Sequence, residues 1–399
     1  MAGLSVGCVY DHYPEEEFNG GGSVTLLINV GTAAPTRATA SWSEKELIHS
    51  LRIVLLDAEG KIEYNTYIDG LDNVDEWKSS DGAGDTWFFR TTPGPKKIYI
   101  VANEDCASAV SGGGTLTSQL EGRSVGESGF ETFVNSLYFT PDFDKGLVLS
   151  SMYEFEIRES ELDAGHTVTK EFWLVHVATK FDFRFENYRQ NDVTIDDFRL
   201  SSVAGTSAAG DMYLMANLAE SEKTKTFEGR KYYWIDWLRE VCDETNAHPD
   251  LPGNENVNEK YGWITDYVLP SGSHMVLDVK SHLSSQADGW RNWTVSPGGN
   301  SSGALQLPQF YCSESKFGAD ASTGYQNYTF TITVTDTGDV ENKTHTFENV
   351  ALDNVKALFR NTHVMVTVKL LGKDEEVDLE LRIGVCPWYS ESIDIPTFD

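Results

Sequence analysis

The residues of this 399-residue chain that point to chemistry are ones on which chemistry would be done. Cys8 follows Leu4-Ser5-Val6-Gly7, which places a small residue directly before a cysteine, as a lipoprotein signal peptidase requires, and a polar, acidic stretch begins at Asp11. We therefore expect Cys8 to be the lipidated first residue of the mature protein. The basic and long apolar parts of a signal peptide are missing, which predicts that Met1 is not the start of the precursor. Arg37 stands alone among small residues, after Gly31, Ala33, Ala34 and Pro35 have broken an extended pattern. A trypsin-like protease needs that setting; the other reading of the stretch is an ordinary first strand with a flexible connection.

Residues able to perform catalysis do not assemble. The nine histidines include no HExxH and no close pair, Ser150, Ser151, Ser201 and Ser202 lack a GxSxG elbow, and no glycine-rich phosphate loop occurs. With 62 acidic residues, a carboxylate pair for glycoside hydrolysis carries no information. Asp142-Phe143-Asp144-Lys145-Gly146 and Asp336-Thr337-Gly338-Asp339 lack the EF-hand register and read as turns. The expectation is no enzyme, no cofactor and no metal.

A formal charge of −31 repels phosphate backbones and anionic headgroups, so nucleic acid is not an expected partner. No run of about 18 apolar residues is present to span a bilayer, which leaves a lipid on Cys8 as the only membrane contact. The five cysteines are odd in number and scattered, without a CxxC pair. Cys242, Cys312 and Cys386 read as buried thiols, and Cys106 falls in a polar loop.

The element that must position Arg37 is the strand before it. Val24, Leu26, Ile28 and Val30 share one face at period two, while Thr25 and Asn29 leave the other half polar. Short runs rich in Val, Ile, Thr, Phe and Tyr recur between Gly, Asn and Asp clusters, the mark of an all-β protein. Leu47–Leu56 and Lys61–Tyr67 read as a hairpin, Thr86–Arg90 and Lys96–Ala102 as another strand pair around Pro93-Gly94-Pro95, and Phe130–Leu137 as a short helix. A new strand system opens near Phe172–Lys180, with Phe181, Phe183 and Phe185 on one face. The last hairpin runs from His363 to Leu371 and from Glu376 to Val385. The expected division is a leader over 1–22, one domain over 23–173 and a second over 174–399.

Several segments carry a family resemblance. Arg360-Asn361-Thr362-His363 leading into Val-Met-Val-Thr-Val, with the closing Val385-Cys386-Pro387-Trp388, resembles the ending of the fimbrillins, the FimA-like subunits of type V pili. Val101-Ala102-Asn103 and His176-Val177-Ala178-Thr179-Lys180-Phe181 are similar to two further strands of that family. The resemblance implies two tandem β-sandwich domains of transthyretin-like, Greek-key topology, and a structural subunit of a cell-surface fimbrium with adhesion as its downstream role.

It also implies export as an outer-membrane lipoprotein precursor through Cys8, and cleavage by an arginine-specific protease at Arg37-Ala38. The strand of Val24, Leu26, Ile28 and Val30 is then removed, and a C-terminal strand of another fimbrial subunit enters the vacated groove. The donor tail would carry Tyr389, Ile393, Ile395 and Phe398. Pro396 departs from the pattern, since it removes one ladder bond from an already short donor. The other readings are an anchor or tip subunit of the same pilus, and a non-polymerising, lipid-anchored module binding a glycan or protein on a host or bacterial surface through aromatics such as Trp290, Trp293 and Tyr325.

Overall fold

The computed structural model describes residues 23–32, 43–74, 76–78, 88–202, 206–208, 210–240, 264, 266–270, 293–299, 304–317, 328–337, 343–352, 358–372 and 377–388. Within them the chain is all-β with a few short helices. The period-two runs of the first half form β1 (Val24–Thr32), β2 (Ile48–Leu56), β3 (Ile62–Val74), β4 (Glu76–Lys78), β5 (Phe88–Thr91), β6 (Gly94–Ala102), β7 (Leu149–Ile157) and β8 (Thr167–His176). One layer is ordered β3-β2-β6-β7. In the other, β1 lies parallel to β8 and antiparallel to β4 and β5. The two layers meet at one corner, where Val175 and His176 of β8 pair with Ser150 and Leu149 of β7.

Alternation sends one set of side chains between the layers. Val24, Leu26, Ile28 and Val30 of β1, with Phe172 and Leu174 of β8, pack in one core with Leu51, Ile53 and Leu55 of β2 and Ile98 and Ile100 of β6. The opposite faces of β2 and β6 are buried as well, because Val54, Leu56, Tyr99 and Val101 pack under α1 (Leu116–Glu121) and α2 (Phe130–Ser136). Burial on both faces is why Ile53-Val54-Leu55-Leu56 reads as a continuous apolar run.

The second half repeats the plan strand for strand: β9 (Thr179–Asn187), β10 (Val193–Ser202), β11 (Trp293–Val295), β12 (Leu305–Gln306), β13 (Phe310–Cys312), β14 (Tyr328–Asp336), β15 (Lys343–Ala351) and β16 (Thr362–Leu371). β9 lies parallel to β16 and antiparallel to β12 and β13, as β1 does to β8, β4 and β5. The layer β11-β10-β14-β15 corresponds to β3-β2-β6-β7. Phe181, Phe183, Phe185, Val364, Val366 and Val368 fill this core against Phe198, Phe330 and Ile332. A bulge between Ile195 and Asp197 turns both Ile195 and Phe198 inward.

The second sandwich carries one strand more, β17 (Asp378–Pro387), which covers the outer edge of β16 along its length. Among the described residues the matching edge of β8 has a partner at Val175 and His176 alone, from β7, and Thr169 and Glu171 are exposed. α3 (Trp234–Glu240) packs nearby, its Trp234, Ile235, Trp237 and Leu238 joining the first core.

Three expectations change. β5 and β6 do not pair with each other: Thr92-Pro93 carries the chain from one layer to the other, so β5 pairs with β1 and β6 with β2 and β7. The expected opening near Phe172–Lys180 falls within a strand that starts earlier, since polar residues from Thr167 onward belong to β8. Cys106 is wholly buried, with its side chain in the core beneath α1 and α2.

Candidate functional site: the slot of the first strand

β1 is an interior strand, hydrogen-bonded along both edges. Its register runs from Thr25 opposite Thr167 to Thr32 opposite Leu174 on one side, and from Val24 opposite Thr91 to Gly31 opposite Glu76 on the other. The amide of Thr25 donates to the His166 carbonyl at 2.9 Å. Val24, Leu26, Ile28 and Val30 are each at most 1% exposed, so the four expected inward residues do face the core. Among the described residues no side chain of β1 makes a hydrogen bond or an ion pair. What holds the strand among the described residues is its ladder and apolar burial.

The equivalent strand of the second sandwich is held differently. In β9, Lys180 Nζ lies 2.8 Å from Glu46 Oε1, and Asp182 Oδ2 lies 2.8 Å from His363 Nε2. Asn187 Nδ2 donates to the carbonyls of Asn191 and Val295 at 2.7 and 2.8 Å. Burial pushes the Asp182 carboxyl up, but the His363 hydrogen bond and charge outweigh it and hold the group below the ordinary carboxylate range. Two strands in matching places thus differ: polar side chains tie β9 in place and leave β1 untied.

The two sandwiches meet at a buried polar junction to which the sequence reading assigned no role. Ser43 caps a 3₁₀ turn at Glu44–Glu46, just before β2, and this turn directs Glu46 inward. Glu46 accepts from Lys180 and, at 2.9 Å, from the Tyr311 hydroxyl. Arg360 donates to Glu314 at 2.7 and 3.1 Å and to the carbonyls of Leu214 and Tyr213 at 2.9 and 2.7 Å. Asn361, at φ 60°, donates its amide to the carbonyls of His176 and Ala178 and accepts the His176 amide on its side-chain oxygen. Burial drives the His176 imidazole below its ordinary pKa, toward the neutral form. The signal for these residues was Arg360-Asn361 and His176-Val177-Ala178-Thr179-Lys180, which carried the resemblance without showing what they bind.

Trp388 closes β17 against the same junction. Its ring stacks on His176 at 4.4 Å and on Tyr311 at 5.5 Å, and its amide donates to the Asn361 carbonyl at 2.8 Å. The candidate donor residues Tyr389, Ile393, Ile395 and Phe398 lie outside the described residues, as do Cys8, Arg37 and Ala38. Of the aromatics considered for glycan binding, Trp293 packs against the second core, while Trp290 and Tyr325 lie outside the described residues. Asp336, the last residue of β14, pairs across the ladder with Lys343 of β15 and holds its Oδ2 2.5 Å from Arg189 Nη2, while Gly338 and Asp339 of the expected turn lie outside the described residues.

Comparison with known proteins adds the following. The whole chain is similar to a fimbrilin of Porphyromonas gingivalis, with 12% identity, 91% of this chain and 98% of that one covered, and a TM-score of 0.45. It is similar to the tip fimbrial protein Mfa3 of the same organism, with 13% identity, 92% and 100% covered, and a TM-score of 0.41. A fimbrial assembly protein from Parabacteroides distasonis matches with 11% identity, 92% and 98% covered, and a TM-score of 0.40. No curated protein matches the sequence. Residues 22–155 match the family model described as major fimbrial subunit protein (FimA). That stretch runs from β1 into β7 and covers about a third of the chain.

Proposed function

We propose that the chain is a structural subunit of a cell-surface fimbrium, in which β1 is a provisional occupant of a slot later filled by a strand from another subunit. The observation that carries this reading is the contrast between β1 and β9. A strand with no side-chain tether among the described residues can leave without stranding a buried charge, whereas withdrawing β9 would break Lys180–Glu46 and Asp182–His363.

Withdrawing β1 uncovers the places of four inward apolar side chains. At about 1.5–3 kcal/mol each, they contribute at most roughly 6–12 kcal/mol, which an incoming strand of the same alternation recovers. Backbone bonds along both edges of the slot supply affinity, and the alternating side chains supply register. In this reading Cys8 carries the lipid of the precursor and the leader over 1–22 is a tether. An arginine-specific protease cuts Arg37-Ala38, Tyr389–Phe398 enters the slot of a neighbouring subunit, and residues 23–173 and 174–399 are the two domains. No step requires a catalytic residue, a cofactor or a metal, and adhesion to a host or bacterial surface follows from assembly.

Limited digestion with trypsin, with sequencing of the new terminus and size analysis, tests the proposal. A single early cut giving Ala38 as the terminus, loss of the β1 peptide and concentration-dependent polymers are the expected result. A cut product that stays monomeric with β1 bound, or resistance at Arg37, overturns it.

A further inference from the structure

Away from the slot, a mixed group of ligand-bearing side chains converges at the rim of the first sandwich. The ring nitrogen of His49, a carboxylate oxygen of Asp105 and the sulfur of Cys106 all lie within 4.8 Å of one another. His49 opens β2, whereas Asp105 and Cys106 sit on the 3₁₀ turn that follows β6, more than fifty residues along the chain. What brings them together is Asn103, which is buried and holds φ 58°. Its side-chain oxygen accepts the His49 amide at 2.9 Å, and its side-chain nitrogen donates to the carbonyls of Leu47 and Leu147 at 2.8 and 2.9 Å. The Cys106 amide closes the turn on the Asn103 carbonyl at 3.0 Å. One side chain therefore fixes the approach of β2 to this turn.

Gly146, at φ 146°, lies against the sulfur, and a Cβ there would come within 3.0 Å of Cys106 Sγ and 3.4 Å of the Lys45 carbonyl. Cys106 is fully buried and reduced, and among the described residues its thiol has no hydrogen-bond partner. His49 is partly exposed and Asp105 exposed, so the group is graded from a soft donor inside to a hard donor at the solvent.

We propose that His49, Asp105 and Cys106 bind a divalent cation of the zinc class, with a fourth position open to water. Nitrogen, oxygen and thiolate sulfur form the mixed donor set that a borderline-soft, tetrahedral ion takes, at bonds of about 2.0–2.3 Å. On binding, the cation enters between His49 Nε2 and Asp105 Oδ1, which now stand 2.8 Å apart. The Cys106 thiol gives up its proton to solvent as the metal–sulfur bond forms. With β2 on one side and the turn after β6 on the other, the ion is a clasp across the rim.

The test is titration of the full, untagged, reduced and chelator-treated chain with Co²⁺, followed by displacement with Zn²⁺. We expect one equivalent of Co²⁺ to raise a sulfur-to-cobalt charge-transfer band in the near ultraviolet, which Zn²⁺ abolishes. Cys106→Ser removes the band. His49→Gln and Asp105→Asn, at partly exposed and exposed positions, weaken binding by at least the roughly tenfold lost with an outer-sphere partner while leaving the circular dichroism unchanged. Absence of the band in the wild type, or a band indifferent to His49→Gln and Asp105→Asn, overturns the proposal. The three residues lie outside the β1 slot, so neither outcome bears on strand exchange.

Discussion

Lys180 Nζ and Glu46 Oε1 are 2.8 Å apart, and the two side chains are only 4% and 1% exposed. They come from opposite sandwiches, so this ion pair is a bolt through the junction rather than part of either core. Taking one partner away leaves the other charge buried and uncompensated, which costs about 3–5 kcal/mol. We expect Glu46→Gln and Lys180→Met each to lower unfolding stability by about that much, and the double variant to lose clearly less than the sum. A double-mutant cycle read by urea unfolding checks it.

Asn103 offers a separable test of backbone and side chain. At φ 58° a residue without glycine's freedom or asparagine's local hydrogen bonding is strained, and the Asn103 amide also satisfies two carbonyls and the His49 amide. We expect Asn103→Ala to destabilise more than Asn103→Gly, since glycine keeps the left-handed backbone and loses only the side-chain bonds. Each buried group left unpaired costs about 1–3 kcal/mol. Thermal unfolding of both variants decides the order, and equal losses would mean the backbone conformation is without consequence.

Ile28 lies mid-strand in β1 and is wholly buried. Ile28→Ala opens a cavity in the first core, with an expected loss of about 2–5 kcal/mol in the uncut chain. In protein from which β1 has been removed and replaced, the same substitution has no effect, because the residue has left with its strand. Comparing denaturation midpoints of cut and uncut material separates the two.

The alkaline limit of stability has a nameable contributor. Burial pushes the Cys312 thiol from 9.0 up to about 12. Because the folded value lies above the unfolded one, the stabilisation is fully present below pH 9.0 and is lost as pH rises toward about 12. We expect Cys312→Ala to flatten the fall in unfolding stability over that interval relative to the wild type, measured by urea unfolding at stepped pH.

What could be read from residue order was what local alternation encodes. β1, β9 and the pair β16–β17 carry inward residues at strict period two and were legible before any fold was known. β8 was not, because Lys170 stands on its inward-facing parity, opposite Ile28, and Thr167, Thr169 and Glu171 make the first turns of the strand look polar. Pro93-Gly94 reads as a hairpin turn, yet it joins opposite layers, since nothing local tells a turn within a sheet from a crossing between sheets. The slot residues were legible on the same ground as β1. The junction was not: Glu46, Lys180, Glu314 and Arg360 look like surface charges until residues far apart in the chain are brought together and buried. Cys106 was illegible for the same reason: Asn103 and Glu104 just before it look like loop residues but are buried with it, and only Asp105 is turned outward.

The missing counterpart of β17 has a directional consequence. Among the described residues the chain holds two versions of one sandwich: β17 runs the length of β16, whereas β8 has a partner on that side at Val175 and His176 alone, with Thr169 and Glu171 exposed. A unit so built has unlike ends. When such units join end to end, every contact is between two different surfaces, so the array is heterologous and need not close on itself. An array of that kind would be a filament with a head and a foot, its polarity set within each single chain.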